Sequence, residues 1–182
     1  MSRGLGDVYK RQVVDIPHNW DDYYGYRQLT HGNLHGTAMY EKIFMLDNSQ
    51  FPISDSSFGK RYFLRFEGVG TYATVTLNGK DFGRHPVGRT TLTLDVTEAL
   101  KPGENRLVVK AEHPEMIADM PWVCGGCSSE WGFSEGSQPL GIFRPVVLEA
   151  TDEIRIEPFG VHIWNAVSYT HLRAHETLAN LV

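Results

Sequence analysis

The chain has 182 residues, of which 41% are hydrophobic and 21% are charged, and its formal net charge is −5. This length is sufficient for one domain with a buried core, and the composition is typical of a folded globular chain rather than a disordered one. The acidic balance argues against a nucleic-acid binder, which would need a basic face. No apolar run reaches the roughly 20 residues that a membrane-spanning helix needs. We therefore expect neither a nucleic-acid nor a membrane partner.

The first predicted strands are Tyr40–Leu46 and Arg61–Glu67. The second alternates apolar and polar residues, which is the two-residue period of a half-buried strand. Phe63 interrupts its polar side. The predicted core face of this strand consists of Tyr62, Leu64 and Phe66.

A hairpin is predicted next, because Tyr72–Leu77 alternates in the same way and is followed at once by Asn78-Gly79. An Asn-Gly pair favours a tight turn in which both residues take positive φ. The returning strand of this hairpin is predicted at Lys80–Arg84.

Further strands are predicted at Thr91–Val96, Arg106–Glu112 and Ile142–Ala150, with a turn at Lys101–Asn105. Only Thr97–Leu100 indicates a helical turn. Pro145 has no N–H to donate to a ladder, which suggests a sheet edge or a bulge in the last strand. Several short strands with almost no helix predict an all-β fold, an antiparallel sandwich.

The segment from Glu112 to Gln138 has no strand period, and a loop of this length is usually functional or disordered. Its aromatic content favours function. Trp122 and Trp131 are candidates for stacking on a sugar ring, or they pin the loop to the domain. Glu130, Glu135 and Asp119 are candidates for binding sugar hydroxyls or a cation, although solvated loop acids are the commoner outcome.

Cys124 and Cys127 form a single Cys-x-x-Cys motif. Zinc would need two further ligands, and His113 is the only nearby candidate. A thioredoxin-like βαβ context is absent. Free thiols, a local disulfide and a metal site all stay open in that order of preference, and we expect no metal or cofactor.

Five stretches carry a family resemblance, and they stand in this order along the chain: VVDIPHNW (Val13–Trp20), the Tyr-led strand at Tyr40, FEGVGTYATVTLNGKDFGRH (Phe66–His85), LDVTEALKPGENRLVVKAEH (Leu94–His113) and GIFRPVVL (Gly141–Leu148). Their order resembles the sugar-binding domain that opens family 2 glycoside hydrolases, the group of β-galactosidases, β-glucuronidases and β-mannosidases.

The resemblance implies a jelly-roll β-sandwich of the galactose-binding-domain type. In the family an immunoglobulin-like domain and a (β/α)8 barrel follow, and the barrel carries both catalytic glutamates. Arg155–Asn165 looks like the link into the second domain. The expected partners are therefore a carbohydrate and the missing C-terminal domains of the same chain, and no catalytic residue is expected here.

The resemblance also bears on single residues. Some β-galactosidases of the family touch galactose with an asparagine at a place where this chain has His35 or Asn33, which makes both candidate sugar contacts and weakens the case for galactose. The segment His18–Trp20 resembles a family segment near the active-site side, and a structural role is expected for it. Phe143 is expected in the core and Arg144 beside a carboxylate.

The two ends of the chain do not resemble the rest. DVYKRQ (Asp7–Gln12) and VSYTHL (Val167–Leu172) can be encoded by DNA stretches that are reverse complements of each other. Such an inverted repeat resembles the transposase end sequence in sequencing-library adapters. We expect residues 1–12 and 166–182 to be translated adapter, residues 13–155 to be the sandwich domain, and residues 156–165 to begin the link. With the true N-terminus expected to be missing, the cellular compartment stays open, the periplasm and the cell exterior included.

The expected function is that of an accessory domain of a β-glycosidase, inactive alone. Two alternatives remain at this stage. One is a free-standing lectin-like module that binds glycans by itself, and the other is a purely structural docking domain.

Overall fold

The computed structural model describes residues 12–20, 35–47, 60–114, 139–164 and the short strand at 173–174. Within these residues there is no helix. The strands in chain order are β1 (Gly36–Leu46), β2 (Arg61–Phe66), β3 (Val69–Leu77), β4 (Lys80–Gly88), β5 (Leu92–Asp95), β6 (Gly103–His113), β7 (Val146–Thr151), β8 (Ile163–Trp164) and β9 (Arg173–Ala174).

The strands form two principal antiparallel sheets. One has the order β1-β6-β3-β4 and the other the order β5-β2-β7, while β8 and β9 make a separate pair. The predicted all-β sandwich is confirmed. No helix in the described part of the chain is long and apolar enough to cross a membrane.

The core lies where alternate residues of the two sheets face each other. In β2 the predicted core residues Tyr62, Leu64 and Phe66 are at most 3% exposed. They pack in one cluster with alternate residues of β3 and β6, and the partners include Ala73, Val75, Leu77, Leu107, Val109 and Ala111. Burial of these side chains, at about 25 cal/mol per Å² of apolar surface, is the main force that holds the sheets together.

Phe63 interrupts the polar face of β2 because that face is also covered. The guanidinium carbon of Arg155 lies 3.2 Å from the centroid of the Phe63 ring, and that of Arg61 lies 5.1 Å from it. Arg155 is itself paired with Glu157 at 2.7 Å, and its side chain is only 10% exposed. The segment that follows β7 therefore packs back on the outer face of the three-stranded sheet.

The hairpin at Asn78-Gly79 is confirmed, with φ of 52° and 87°. The side chain of Asn78 does more than permit the turn. Its amide nitrogen donates to Asn105 Oδ1 at 2.7 Å, and its oxygen accepts from the Arg106 N–H at 2.9 Å. Asn105 is fully buried, and its own amide nitrogen donates to the carbonyls of Lys101 and Gly103. The β3–β4 turn and the loop before β6 are thus joined by one buried amide.

The strand predicted at Ile142–Ala150 is wrong at its start, since β7 begins at Val146. Gly141 takes a φ of +85° and forms an isolated antiparallel bridge with Gly70. A Cβ on Gly141 would overlap the hydroxyl of Tyr40. Residues 141–145 therefore form no regular strand, and Gly141 instead lies in close contact with β1 and β3.

Replacing Asn105 with alanine is expected to lower the free energy of unfolding by about 2–4 kcal/mol, because the partners on both sides of a buried amide lose their hydrogen bonds. The exposed neighbour Glu104→Ala is the control and should change it by less than about 0.5 kcal/mol. Urea denaturation measures both. Equal effects of the two variants would contradict the structural role of the amide.

Gly141→Ala tests the close approach against Gly83→Ala. Both glycines have positive φ, +85° and +87°, but a Cβ on Gly83 would meet nothing closer than 3.9 Å. The Gly83 variant is expected to lose about 1 kcal/mol for the backbone alone, and the Gly141 variant about 2 kcal/mol more for steric overlap. If urea denaturation shows that the two variants lose the same unfolding free energy, Tyr40 moves aside at no energetic cost.

Candidate functional site

Most of the sugar contacts predicted from the sequence lie outside the described residues. These are Asn33, Asp119, Trp122, Glu130, Trp131 and Glu135, and the same holds for Cys124 and Cys127. Their roles stay predictions. His35 is described, and so are the residues on both sides of the segment 115–138, so the surroundings of that segment can be examined.

His35 lies immediately before β1 and is held by its neighbours. Its ring stacks on that of His113, with centroids 5.2 Å apart and planes inclined by 3°. Its Nδ1 lies 3.1 Å from the carbonyl oxygen of Pro114, to which it donates. The bond fixes His35 against the last described residue before the segment 115–138.

His113 is a buried neighbour of His35, with 1% of its surface exposed. Its Nδ1 lies 2.6 Å from the hydroxyl of Thr71. Burial, and secondarily the charge of His35, lower the pKa of His113 to about 4. The ring is therefore neutral near pH 7. Among the described residues no group of three or more His, Cys, Asp or Glu side chains is arranged to hold a metal ion.

A second cluster joins residues 17–20 to residues 139–142. The backbone N–H of His18 donates to the Ile142 carbonyl at 2.7 Å, and the Leu140 N–H donates to Asn19 Oδ1 at 3.1 Å. His18 Nδ1 lies 2.8 Å from the Tyr40 hydroxyl, and burial raises the pKa of that hydroxyl. The structural role expected for the segment His18–Trp20 agrees with these contacts.

An open groove of about 390 Å³ lies beside this cluster. We call it the Arg144 groove. The described residues that line it are Pro17, His18, Asn19, Arg89, Pro139, Phe143 and Arg144. It was not predicted from the sequence, because its walls come from three segments that are far apart in the chain. The only sequence signal was that two of these segments belong to family motifs.

One expectation about the groove residues is wrong, and a second finds no support among the described residues. Phe143 is only half-buried, and the core position belongs to Ile142, which is 4% exposed. Arg144 is exposed and donates to the carbonyl oxygen of Arg89 at 3.4 Å, not to a carboxylate of the described residues. The positive φ of Gly141 shifts the alternation, so that the side chain before Phe143 enters the core.

The pKa of His113 predicts a pH dependence of stability. Unfolding returns this side chain to an ordinary pKa near 6.5, so the unfolded state binds a proton more readily than the folded state. The stabilisation is complete above about pH 6.5 and is lost as the pH falls towards about 4, by about 3 kcal/mol in all.

Urea denaturation of the wild type and of His113→Gln between pH 7.5 and 4 measures this effect. The variant lacks the titrating ring, so the difference in unfolding free energy between the two proteins should shrink as the pH falls. Other acid-sensitive groups are common to both proteins and cancel. A difference that does not change with pH would contradict the assignment.

Comparison with known proteins places this fold in a family. The model of the glycosyl hydrolase 2 galactose-binding domain-like family matches residues 30–120. A β-glucuronidase of Bacteroides fragilis is 34% identical over 149 residues, which cover 80% of this chain and 18% of that protein. The β-galactosidase BoGH2A of Bacteroides ovatus is 27% identical and covers 84% of this chain and 16% of its own length.

A solved structure of a putative β-galactosidase from Bacteroides fragilis has a TM-score of 0.64 and 30% identity, with 87% of this chain and 22% of that chain covered. This chain therefore spans about a fifth of the length of the relatives it matches. The sandwich, its order of strands and the family match across residues 30–120 identify the chain as a member of the galactose-binding-domain-like family of glycoside hydrolase family 2.

Proposed function

We propose that this chain is an accessory, carbohydrate-binding domain of a β-glycosidase, which packs on a catalytic domain and supports its sugar pocket. The observation that carries the proposal is the family match across residues 30–120, since the matched relatives are named β-glucuronidase and β-galactosidase. The reaction of the longer protein is hydrolysis of a β-glycosidic bond in an oligosaccharide or polysaccharide.

The described carboxylates support a non-catalytic role for this domain. Retaining hydrolysis needs two carboxyl groups about 5 Å apart across the anomeric carbon. Several described acids on or beside the sheets are paired with cations: Glu149 and Glu67 with Arg65, and Glu112 with Lys110. None of the described residues that line the Arg144 groove is an acid. In this proposal the catalytic carboxylates belong to another domain of the longer protein.

The segment after β7 supports packing against a further domain. Several of its large apolar side chains are at least half exposed, and clusters of this kind often mark interaction surfaces. They are Ile154, Ile156, Phe159, Val161, Ile163 and Trp164. This is the segment that resembles the link into the next domain of the family.

The proposal is tested by recovering the uninterrupted gene from the source DNA and expressing its product beside the present chain. The longer protein is expected to hydrolyse at least one of p-nitrophenyl β-glucuronide and p-nitrophenyl β-galactoside. The chain alone should release nitrophenol no faster than buffer, because the described residues that line the Arg144 groove include no acid to serve as a catalytic carboxylate.

Two results would contradict the proposal. One is hydrolysis by the present chain alone at a rate that survives repurification. The other is a gene that has no catalytic domain beyond this one, or whose product hydrolyses no aryl β-glycoside.

A further inference from the structure

The Arg144 groove is open to solvent, and one of its walls is held by hydrogen bonds. Its volume of about 390 Å³ lies within the usual range of about 300–1,000 Å³ for ligand pockets. One wall is held by the hydrogen bond from the His18 N–H to Ile142, and Asn19 is held by the Leu140 N–H. The Asn19 side chain, fixed in this way, loses little freedom when a ligand binds.

Arg144 differs from most other arginines that the structure describes. Five of them have a carboxylate oxygen within 3.3 Å: Arg61, Arg65, Arg84, Arg106 and Arg155. Arg144 instead makes one long hydrogen bond, 3.4 Å, to a backbone carbonyl. Most of its donors therefore remain for a ligand, and a guanidinium matches the geometry of a carboxylate or a sulfate.

The other lining residues suit a saccharide. Nδ1 of His18 is engaged by the Tyr40 hydroxyl, so Nε2 is the ring atom that His18 can offer to a ligand hydroxyl. Phe143 is half-buried, and the guanidinium carbon of Arg144 lies 5.7 Å from the centroid of its ring. An aromatic ring beside a cation offers a surface for the apolar face of a sugar next to its anionic group.

We propose that the Arg144 groove binds a sugar residue that bears an anionic substituent, a carboxylate or a sulfate, with Arg144 as the main contact to that group. The proposal rests on the carbohydrate-binding role proposed above, and it requires no hydrolysis. It adds to the proposed function a class of ligand, anionic sugars. It also adds a binding site that is separate from the sugar contacts predicted in the segment 115–138.

NMR titration of the purified chain tests this inference with three probes: methyl β-D-glucuronide, D-glucose 6-sulfate and the neutral methyl β-D-glucoside. At least one anionic probe is expected to bind about tenfold more tightly than the neutral one, as a charge-assisted hydrogen bond would give. Raising the ionic strength should weaken the anionic probe selectively, because salt screens an exposed charge.

The test variant is Arg144→Gln, and the matched control is Arg106→Gln. Arg106 is also exposed and loses the same charge, but it pairs with Glu41 on β1. The Arg144 variant should reduce anionic binding about tenfold and leave neutral binding unchanged, whereas the control should change neither. Since Arg144 is exposed, both variants are expected to fold, and Arg144→Lys, which keeps the charge without the planar fork, should bind with intermediate affinity.

The possible outcomes distinguish a carboxylate from a sulfate as the bound group. They also distinguish failure of this inference from failure of the proposed function. Tight binding of only the glucuronide or only the sulfate supports the inference and identifies the group. Equal binding of anionic and neutral probes, binding that Arg144→Gln leaves unchanged, or no binding of any probe overturns it. The proposed membership of a β-glycosidase is tested separately, by hydrolysis in the longer protein.

Discussion

The contact of Gly141 with Tyr40 and Gly70 is the constraint on which the functional end of this domain depends. A glycine is required there both for its positive φ and because a Cβ would overlap the Tyr40 hydroxyl. The contact brings β1, β3 and the segment before β7 within van der Waals distance. His18 then hydrogen-bonds to Ile142 in the same region. The Arg144 groove is consequently a product of close backbone packing rather than of a flexible surface loop.

Charge is distributed over this domain in two ways. On the sheets, arginines tie neighbouring strands together, as Arg65 does by pairing with Glu149 across β2 and β7. Partly exposed pairs of this kind contribute little stability each, about 0–1 kcal/mol, and mainly favour the correct strand register. Arg144 has no such partner among the described acids. Its guanidinium instead lines the Arg144 groove, where it donates to the carbonyl oxygen of Arg89.

The sequence predicted the features that depend on neighbouring residues and missed those that depend on distant ones. The alternation in β2 and the Asn78-Gly79 turn follow from local chemistry, and both are confirmed. The burial of Phe63 needs Arg155, which lies 92 positions further along the chain, so no local pattern could reveal it. The exchange of Ile142 for Phe143 in the core has a local origin, the positive φ of Gly141, which a pattern of alternating residue types does not reveal.

The two ends of the segment 115–138 connect the residues predicted from sequence to the site found in the structure. At one end Pro114 is held by His35, whose ring stacks on His113. At the other end Pro139 forms part of the wall of the Arg144 groove. The described residues at the two ends of the segment 115–138 therefore lie beside a predicted sugar contact, His35, and beside the Arg144 groove.

Because the interior of a sandwich is filled by its own side chains, recognition by such a domain falls to segments at the ends of its strands. A saccharide in the groove would therefore lie beside Pro139, the first described residue after this segment.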